Sequence, residues 1–242
     1  MRGDLAVILG VVVFAVATMP VYAVTARHKP DPLDVARGGF VLGTFVRSWF
    51  YWFVDPVVRL ALALRLSPTA FNVLGVLFGV AAGIAFGMGH RNLGGWGVLL
   101  GGAADVLDGR IARARDMADD RGVFLDATLD RFAEVAAFVG LAVFYRDSVL
   151  ATALVALALG SSLLVSYAKA RGETVGVMAS IGVMQRAERL LLIGFGGLFD
   201  PAVTEWLGWA PGDLLIWAIG LVAVGATITA LYRTVWIARR LG

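Results

Sequence analysis

Long apolar runs, each closed by a short polar turn, set the rhythm of the chain. Four of them, Leu5–Val24, Leu66–Gly89, Ser148–Ala168 and Leu214–Tyr232, contain no charged residue. A helix needs about 20 apolar residues to cross the hydrocarbon core of a bilayer. Taking runs and turns alternately predicts seven helical crossings, at 5–24, 68–89, 93–114, 121–145, 148–170, 186–203 and 213–236. The sixth is the least continuous: only Leu190–Phe199 is free of charge, and Asp200-Pro201 follows at once.

Charge in the turns gives the crossings a direction. Arg2, Arg91 and Arg146 fall on one side of the alternation, and the other 18 of the 21 basic residues lie on or near the opposite side. Arg27, Lys29, Arg110, Arg113, Lys169, Arg171, Arg239 and Arg240 are among those 18. Cytoplasmic loops carry the excess of Lys and Arg, so that side is expected to be the cytoplasm and the protein to sit in the cell membrane. The first run ends in "VYA" at 21–23, which loosely resembles a secretory cleavage site. Cleavage there would strand the basic 27–37 segment on the wrong side, so an uncleaved span is expected.

Between the first and second spans the pattern changes. "RHKPDPLDVARGG" has two prolines and a glycine pair and reads as a linker. The stretch "FVRSWFYWFVDPVVRLALALRLS" then sets Phe45, Trp49, Phe50, Tyr51, Trp52 and Phe53 among Arg47, Asp55, Arg59 and Arg65. Aromatics bracketed by arginines suit a helix lying in the headgroup region; the alternative is a further span broken at Pro56. Three segments follow: 1–33, an extra N-terminal span with its linker; 34–65, an interfacial helix; and 66–242, the main membrane domain. In the second span Gly75, Gly79, Gly83 and Gly87 recur every fourth residue and share one face. Small residues let helix backbones approach closely in lipid, either inside one bundle or across a dimer seam.

Composition agrees with an all-α integral membrane protein: 59% of the 242 residues are hydrophobic, 16% are charged and the mean hydropathy is +0.81. There is no cysteine, which excludes disulfides, thiolate metal sites and thiol nucleophiles. The two histidines, His28 and His90, stand in separate polar turns, which argues against a histidine metal site or a Ser-His-Asp triad.

Against this background "DVLDGRIARARDMADDRGVFLDATLD" (105–130) is anomalous. Asp105 and Asp108 are three apart at the end of the third span, and Asp126 and Asp130 are four apart at the start of the fourth. Each pair shares a helix face, and the short turn between the helices lets the pairs converge. An ionised Asp at mid-membrane costs roughly 2.5–3.5 kcal/mol, so four left bare would cost on the order of 10 kcal/mol. Cations must neutralise them. Arg113, Arg121 and Arg131 could supply part of this, but an all-oxygen set at i+3 and i+4 spacing selects a hard divalent ion, magnesium or manganese. Two such ions would stabilise both the attacking and the leaving oxygen of a phosphoryl transfer. Gly109, Ala112 and Gly122 keep the backbone beside these carboxylates open to a nucleotide diphosphate, and Arg113 can pair with its phosphates.

Asp105-x2-Asp108-Gly109-x2-Ala112-Arg113-x8-Gly122-x3-Asp126-x3-Asp130 matches every fixed position of the signature of the CDP-alcohol phosphotransferase family. Eight fixed positions over 26 residues make chance agreement negligible, and the resemblance extends over roughly 66–240. It implies six core membrane helices preceded by an interfacial helix, a polar cavity facing the cytoplasm, and a homodimer. It implies displacement of CMP from a CDP-linked lipid, CDP-diacylglycerol or CDP-archaeol, by an alcohol hydroxyl. Asp105, Asp108 and Asp126 are then metal ligands, with Asp108 and Asp126 near the nucleotide. Asp130 is then the base that takes the acceptor's proton, and also touches a metal. The first span lies outside the family's six. One departure stands upstream: the family often carries Pro-Asn-x-x-Thr, and here Pro68-Thr69-Ala70-Phe71-Asn72 has the Thr and Asn exchanged. Asn72 is thus a candidate contact for the cytidine.

"LDATLDRF" and "SYAKARGETVG…VMQRAERL" resemble the branch of that family that makes phosphatidylinositol phosphate or its archaeal ether-lipid counterpart. The acceptor there is inositol 1-phosphate, and by position Lys169, Arg186, Arg189 and Arg233 would hold its phosphate. Gly172 stands where that branch often has Ala. Glycerol 3-phosphate, serine and free inositol are alternative acceptors, and a cation transporter is the alternative of another class. No nucleic-acid partner is expected.

Overall fold

The computed structural model describes residues 2–25, 43–115, 120–178 and 181–241. Among the described residues the secondary structure is entirely helical: α1 Arg2–Thr25, α2 Gly43–Ala63, α3 Pro68–Gly87, α4 Arg91–Ala114, α5 Asp120–Phe144, α6 Val149–Thr174, α7 Arg186–Leu207 and α8 Asp213–Leu241. The expected linker and the boundary at 33/34 lie outside the described residues. Four helices, α3, α6, α7 and α8, are long and apolar enough to cross a membrane. The described apolar part of α1, Leu9–Thr25, is shorter. At 24 and 25 residues α4 and α5 are long enough, but their aspartates and other polar residues keep them out of that class.

The core is formed where Phe86 of α3, Phe138 and Leu141 of α5, Val155 of α6, Ile193 of α7, and Leu215, Ile219 and Val222 of α8 meet. The outward faces are as apolar as the core: Leu77, Ile84, Leu157, Leu164, Leu221, Ile228 and Leu231 are all exposed. Such a surface suits lipid, where helix association draws on close packing rather than on expulsion of water. The glycine stripe of α3 supplies that packing. A Cβ on Gly79 would stand 2.6 Å from Cβ of Ala133, and one on Gly83 would run into the carbonyl oxygen of Ala136. Gly75 faces Gly101 of α4, and Gly87 faces Val143 of α5. Gly79 and Gly83 therefore serve close packing within the chain, whereas at Gly75 and Gly87 a Cβ would make only ordinary contacts of 3.6 Å. α3 lies as a wedge: α4 and α5 each run along it and barely touch one another.

Internal prolines do not interrupt the helices. The sixth crossing does not stop at 203, because α7 continues through Asp200-Pro201 to Leu207. Asp200 is wholly buried, receives the N–H groups of Gly212 (3.0 Å) and Leu215 (3.2 Å), and lies 2.5 Å from Nε of Arg91. It satisfies the first turn of α8, where helical N–H groups have no partner of their own. Likewise α2 runs unbroken through Pro56. Its Asp55 Oδ1 and Tyr51 carbonyl accept from Arg110 of α4 at 2.9 and 2.5 Å. Val58 and Ala61 of α2 cluster with Phe71 and Ile111. α2 is thereby fastened beside the aspartates.

Candidate active site

Each aspartate is placed by a helix end. Ser67 caps α3, accepting from the Ala70 N–H at 3.2 Å, and Pro68 fills the first helical position, where its missing N–H costs nothing. That start sets Asn72 a turn inside α3, at the opening of the wedge. On either side stand the last turns of α4, with Asp105 and Asp108, and the first turns of α5, with Asp126 and Asp130.

Asp105, Asp108 and Asp126 each offer an oxygen, and these oxygens all lie within 4.8 Å of one another. Asp108 is 4% exposed. With its amide nitrogen turned toward them, Asn72 donates to Oδ2 of Asp108 (2.6 Å) and Oδ1 of Asp126 (3.0 Å). Three carboxylates with no sulfur or imidazole form an oxygen donor set of the kind that suits a hard divalent cation. Asp130 is outside that trio. Its Oδ1 and Oδ2 of Asp105 both lie 2.6 Å from the guanidinium of Arg186, and its Oδ2 is 3.6 Å from Arg131. Arg186 thus bridges the two aspartate helices from the start of α7.

An open cavity of about 590 Å³, including the part continuous with solvent, lies beside these groups. Asn72, Asp105, Asp108, Asp130, Arg186 and Arg189 are in its wall, and its floor is apolar, with Leu129, Ala137 and Phe138. Few convergent polar groups over an apolar floor are a ligand-binding arrangement. At Gly109 a Cβ would meet only the mobile end of Arg113, 3.2 Å away, so helix packing does not demand this glycine. Ala112 is half-buried one turn on from Asp108, and Gly122 is half-buried near the start of α5.

The four expected acceptor-side cations are not gathered together. Arg186 and Arg189 line the cavity. Lys169 is half-exposed on α6 and faces Glu173 of the same helix at 3.8 Å. Arg233, 3% exposed, gives its N–H groups to the carbonyls of Ile181 (2.7 and 3.2 Å) and Val165 (2.7 Å), fastening the segment before α7 onto α6 and α8. Sequence reasoning missed Glu134, buried in the cavity wall and bonded to Arg189. The signal was present: Glu134 continues the i+4 row of Asp126 and Asp130.

A comparison with protein families matches residues 65–238 to the model of CDP-alcohol phosphatidyltransferase. Phosphatidylinositol phosphate synthase of Streptomyces avermitilis is 34% identical over 215 residues, covering 84% of each chain. Among solved structures, phosphatidylinositol phosphate synthase of Mycobacterium tuberculosis with CDP-DAG bound superposes with a TM-score of 0.65 at 30% identity, over 75% of this chain and 92% of that one. The same synthase in complex with manganese and citrate gives a TM-score of 0.65 at 33% identity, over 75% and 88%. The membrane-length helices and these relatives identify a multi-pass membrane protein and set aside the cation-transporter alternative. The chain belongs to the CDP-alcohol phosphatidyltransferase family.

Proposed function

We propose that this protein is a phosphatidylinositol phosphate synthase, which transfers the phosphatidyl group of CDP-diacylglycerol to a hydroxyl of inositol 1-phosphate and releases CMP. The observation that carries the reading is the meeting of three carboxylates within 4.8 Å beside a cavity whose other wall holds Asp130, Arg186 and Arg189. Names and bound molecules of the relatives support the same donor and acceptor.

In this reading Asp105, Asp108 and Asp126 would hold two magnesium or manganese ions, with Asp130 as a further ligand. Those ions would neutralise the diphosphate and the charge that develops on the departing CMP. Gly109, Ala112 and Gly122 leave the backbone open to the diphosphate, Arg113 pairs with its phosphates, and Asn72 stands where the nucleotide enters. Asp130 accepts the proton of the attacking hydroxyl. The new bond forms from that oxygen to the lipid-side phosphorus, and the bond from this phosphorus to the CMP oxygen breaks. Arg186, which holds Asp105 and Asp130 in the structure, turns its charge toward the acceptor's phosphate and frees Asp130 for the proton. Arg189 receives the same phosphate from deeper in the wall. Arg233 serves the acceptor side indirectly, by fixing the segment before α7. An arginine keeps its charge when desolvated and grips phosphate through two parallel N–H groups.

In the bilayer α3–α8 form a six-helix bundle, α2 lies in the interface, and α1 is an additional crossing. The cavity faces the cytoplasm, and the active form is a homodimer. The test is a competition assay. Purified protein receives CDP-diacylglycerol with equimolar inositol 1-phosphate, glycerol 3-phosphate, inositol and serine, and the lipid products are identified by mass. Phosphatidylinositol phosphate is the expected main product; a predominance of phosphatidylinositol or phosphatidylserine refutes the assignment.

A further inference from the structure

One carboxylate in the cavity wall has no task in that scheme. Glu134 lies four residues beyond Asp130 on the same face of α5, one turn deeper, and is 4% exposed. Its Oε1 accepts from both Nε (3.1 Å) and Nη2 (3.0 Å) of Arg189, which is itself 1% exposed. Its Oε2 lies 3.5 Å from Nη1 of Arg131 and accepts no hydrogen bond. Arg131 donates to Oγ of Ser166 on α6 and stands 3.6 Å from Asp130. Arg189 has one further bond, from Nη1 to the carbonyl of Met184 at 3.4 Å.

Burying a charged triad is a poor way to gain stability. Each desolvated ion costs several kcal/mol, and apolar residues of the same size often do as well. Its value lies in geometry. A guanidinium has five N–H groups in a fixed fork. Two are taken by Glu134 and one by Met184, which sets the plane of Arg189 and leaves two N–H groups outside these bonds, on a side chain that lines the cavity. Without the carboxylate, Arg131 and Arg189 would repel each other, and Arg189 would lose its orientation. Holding a side chain in its binding rotamer beforehand removes an ordering cost from the binding step.

We infer that Glu134 is a positioning residue for the acceptor: it fixes Arg189, and through Arg131 the flank of Asp130, in the arrangement that receives the phosphate of a phosphorylated alcohol. This rests on the function proposed above. Glu134→Gln keeps the shape and removes the charge. KM for inositol 1-phosphate is expected to rise about tenfold, a loss of roughly 1.4 kcal/mol of ground-state binding, while KM for CDP-diacylglycerol stays within about twofold. Inorganic phosphate, tested as a competitor of inositol 1-phosphate, should lose potency in the same proportion. Glu134→Asp, which keeps the charge but withdraws it by one methylene, should show the same split at smaller amplitude and serves if the glutamine variant does not fold. Wild-type KM for inositol 1-phosphate in a folded variant overturns the inference. So does an equal loss of both substrates with a lowered thermal midpoint, which would mean packing alone. If the wild-type control rejects inositol 1-phosphate, the failure lies in the proposed function itself.

Discussion

At the scale of residues, the four aspartates differ in what faces them. Asp105, Asp108 and Asp126 turn oxygens toward a common point, while Asp130 lies outside that trio between Arg131 and Arg186, the latter also held by Asp105. The difference gives a divided expectation for isosteric variants. Asp105→Asn, Asp108→Asn and Asp126→Asn should each abolish CMP release, because an amide is a poor ligand for a hard cation. Asp130→Asn should stop turnover yet leave the affinity for CDP-diacylglycerol within about threefold, since its task is proton removal. Equilibrium binding measured beside turnover separates the two cases. The aspartates were legible in the sequence because regular carboxylates in apolar helices need a reason. Glu134 repeats the same spacing, but its partner Arg189 lies 55 residues away on another helix, and no local pattern joins them. Arg233 was legible as a cation near an apolar helix interior. Its two carbonyl partners, Ile181 and Val165 on other segments, were not.

At the scale of elements, the close approach of α3 to α5 and the seating of α8 on α7 hold the site open. Gly83 meets the backbone of Ala136, which cannot give way as a flexible side chain would. Gly160, on the exposed face of α6, has nothing within 4 Å. Gly83→Ala should therefore lower the thermal midpoint and the activity together. Gly160→Ala should leave the midpoint unchanged or slightly raised, as alanine is the better helix former by up to about 1 kcal/mol. Asp200→Ala removes one partner of a buried ion pair and the acceptor for two N–H groups. Breaking such a pair costs about 3–5 kcal/mol, so a fall in midpoint on the order of 10 °C is expected by thermal unfolding in detergent. The glycine spacing announced a tight contact without saying which helix made it. Asp200-Pro201 read only as a weak point of the sixth crossing, and the fold alone shows Asp200 serving the start of the next helix.

At the scale of the whole molecule, the alternation of runs and turns carried the helix order, and the bias of Lys and Arg carried an orientation that can be checked directly. The chain has no cysteine, so Asp120→Cys and Leu207→Cys each introduce a single thiol at opposite ends of the bundle. A membrane-impermeant thiol reagent on intact cells should label position 207 and spare position 120; the reverse pattern would put the cavity outside. The role of α1 was not legible from its pattern, which is apolar on all sides, although Tyr22 and Trp49 pack it against α2. The central claim, that a carboxylate-held divalent cation serves transfer from a CDP-linked lipid to a phosphorylated alcohol, is tested most directly by CMP release. Purified protein is given CDP-diacylglycerol and magnesium, with and without inositol 1-phosphate, and each mixture is repeated in excess EDTA. CMP should appear only when magnesium and inositol 1-phosphate are both present. Equal release in EDTA, or no release with both present, would contradict it.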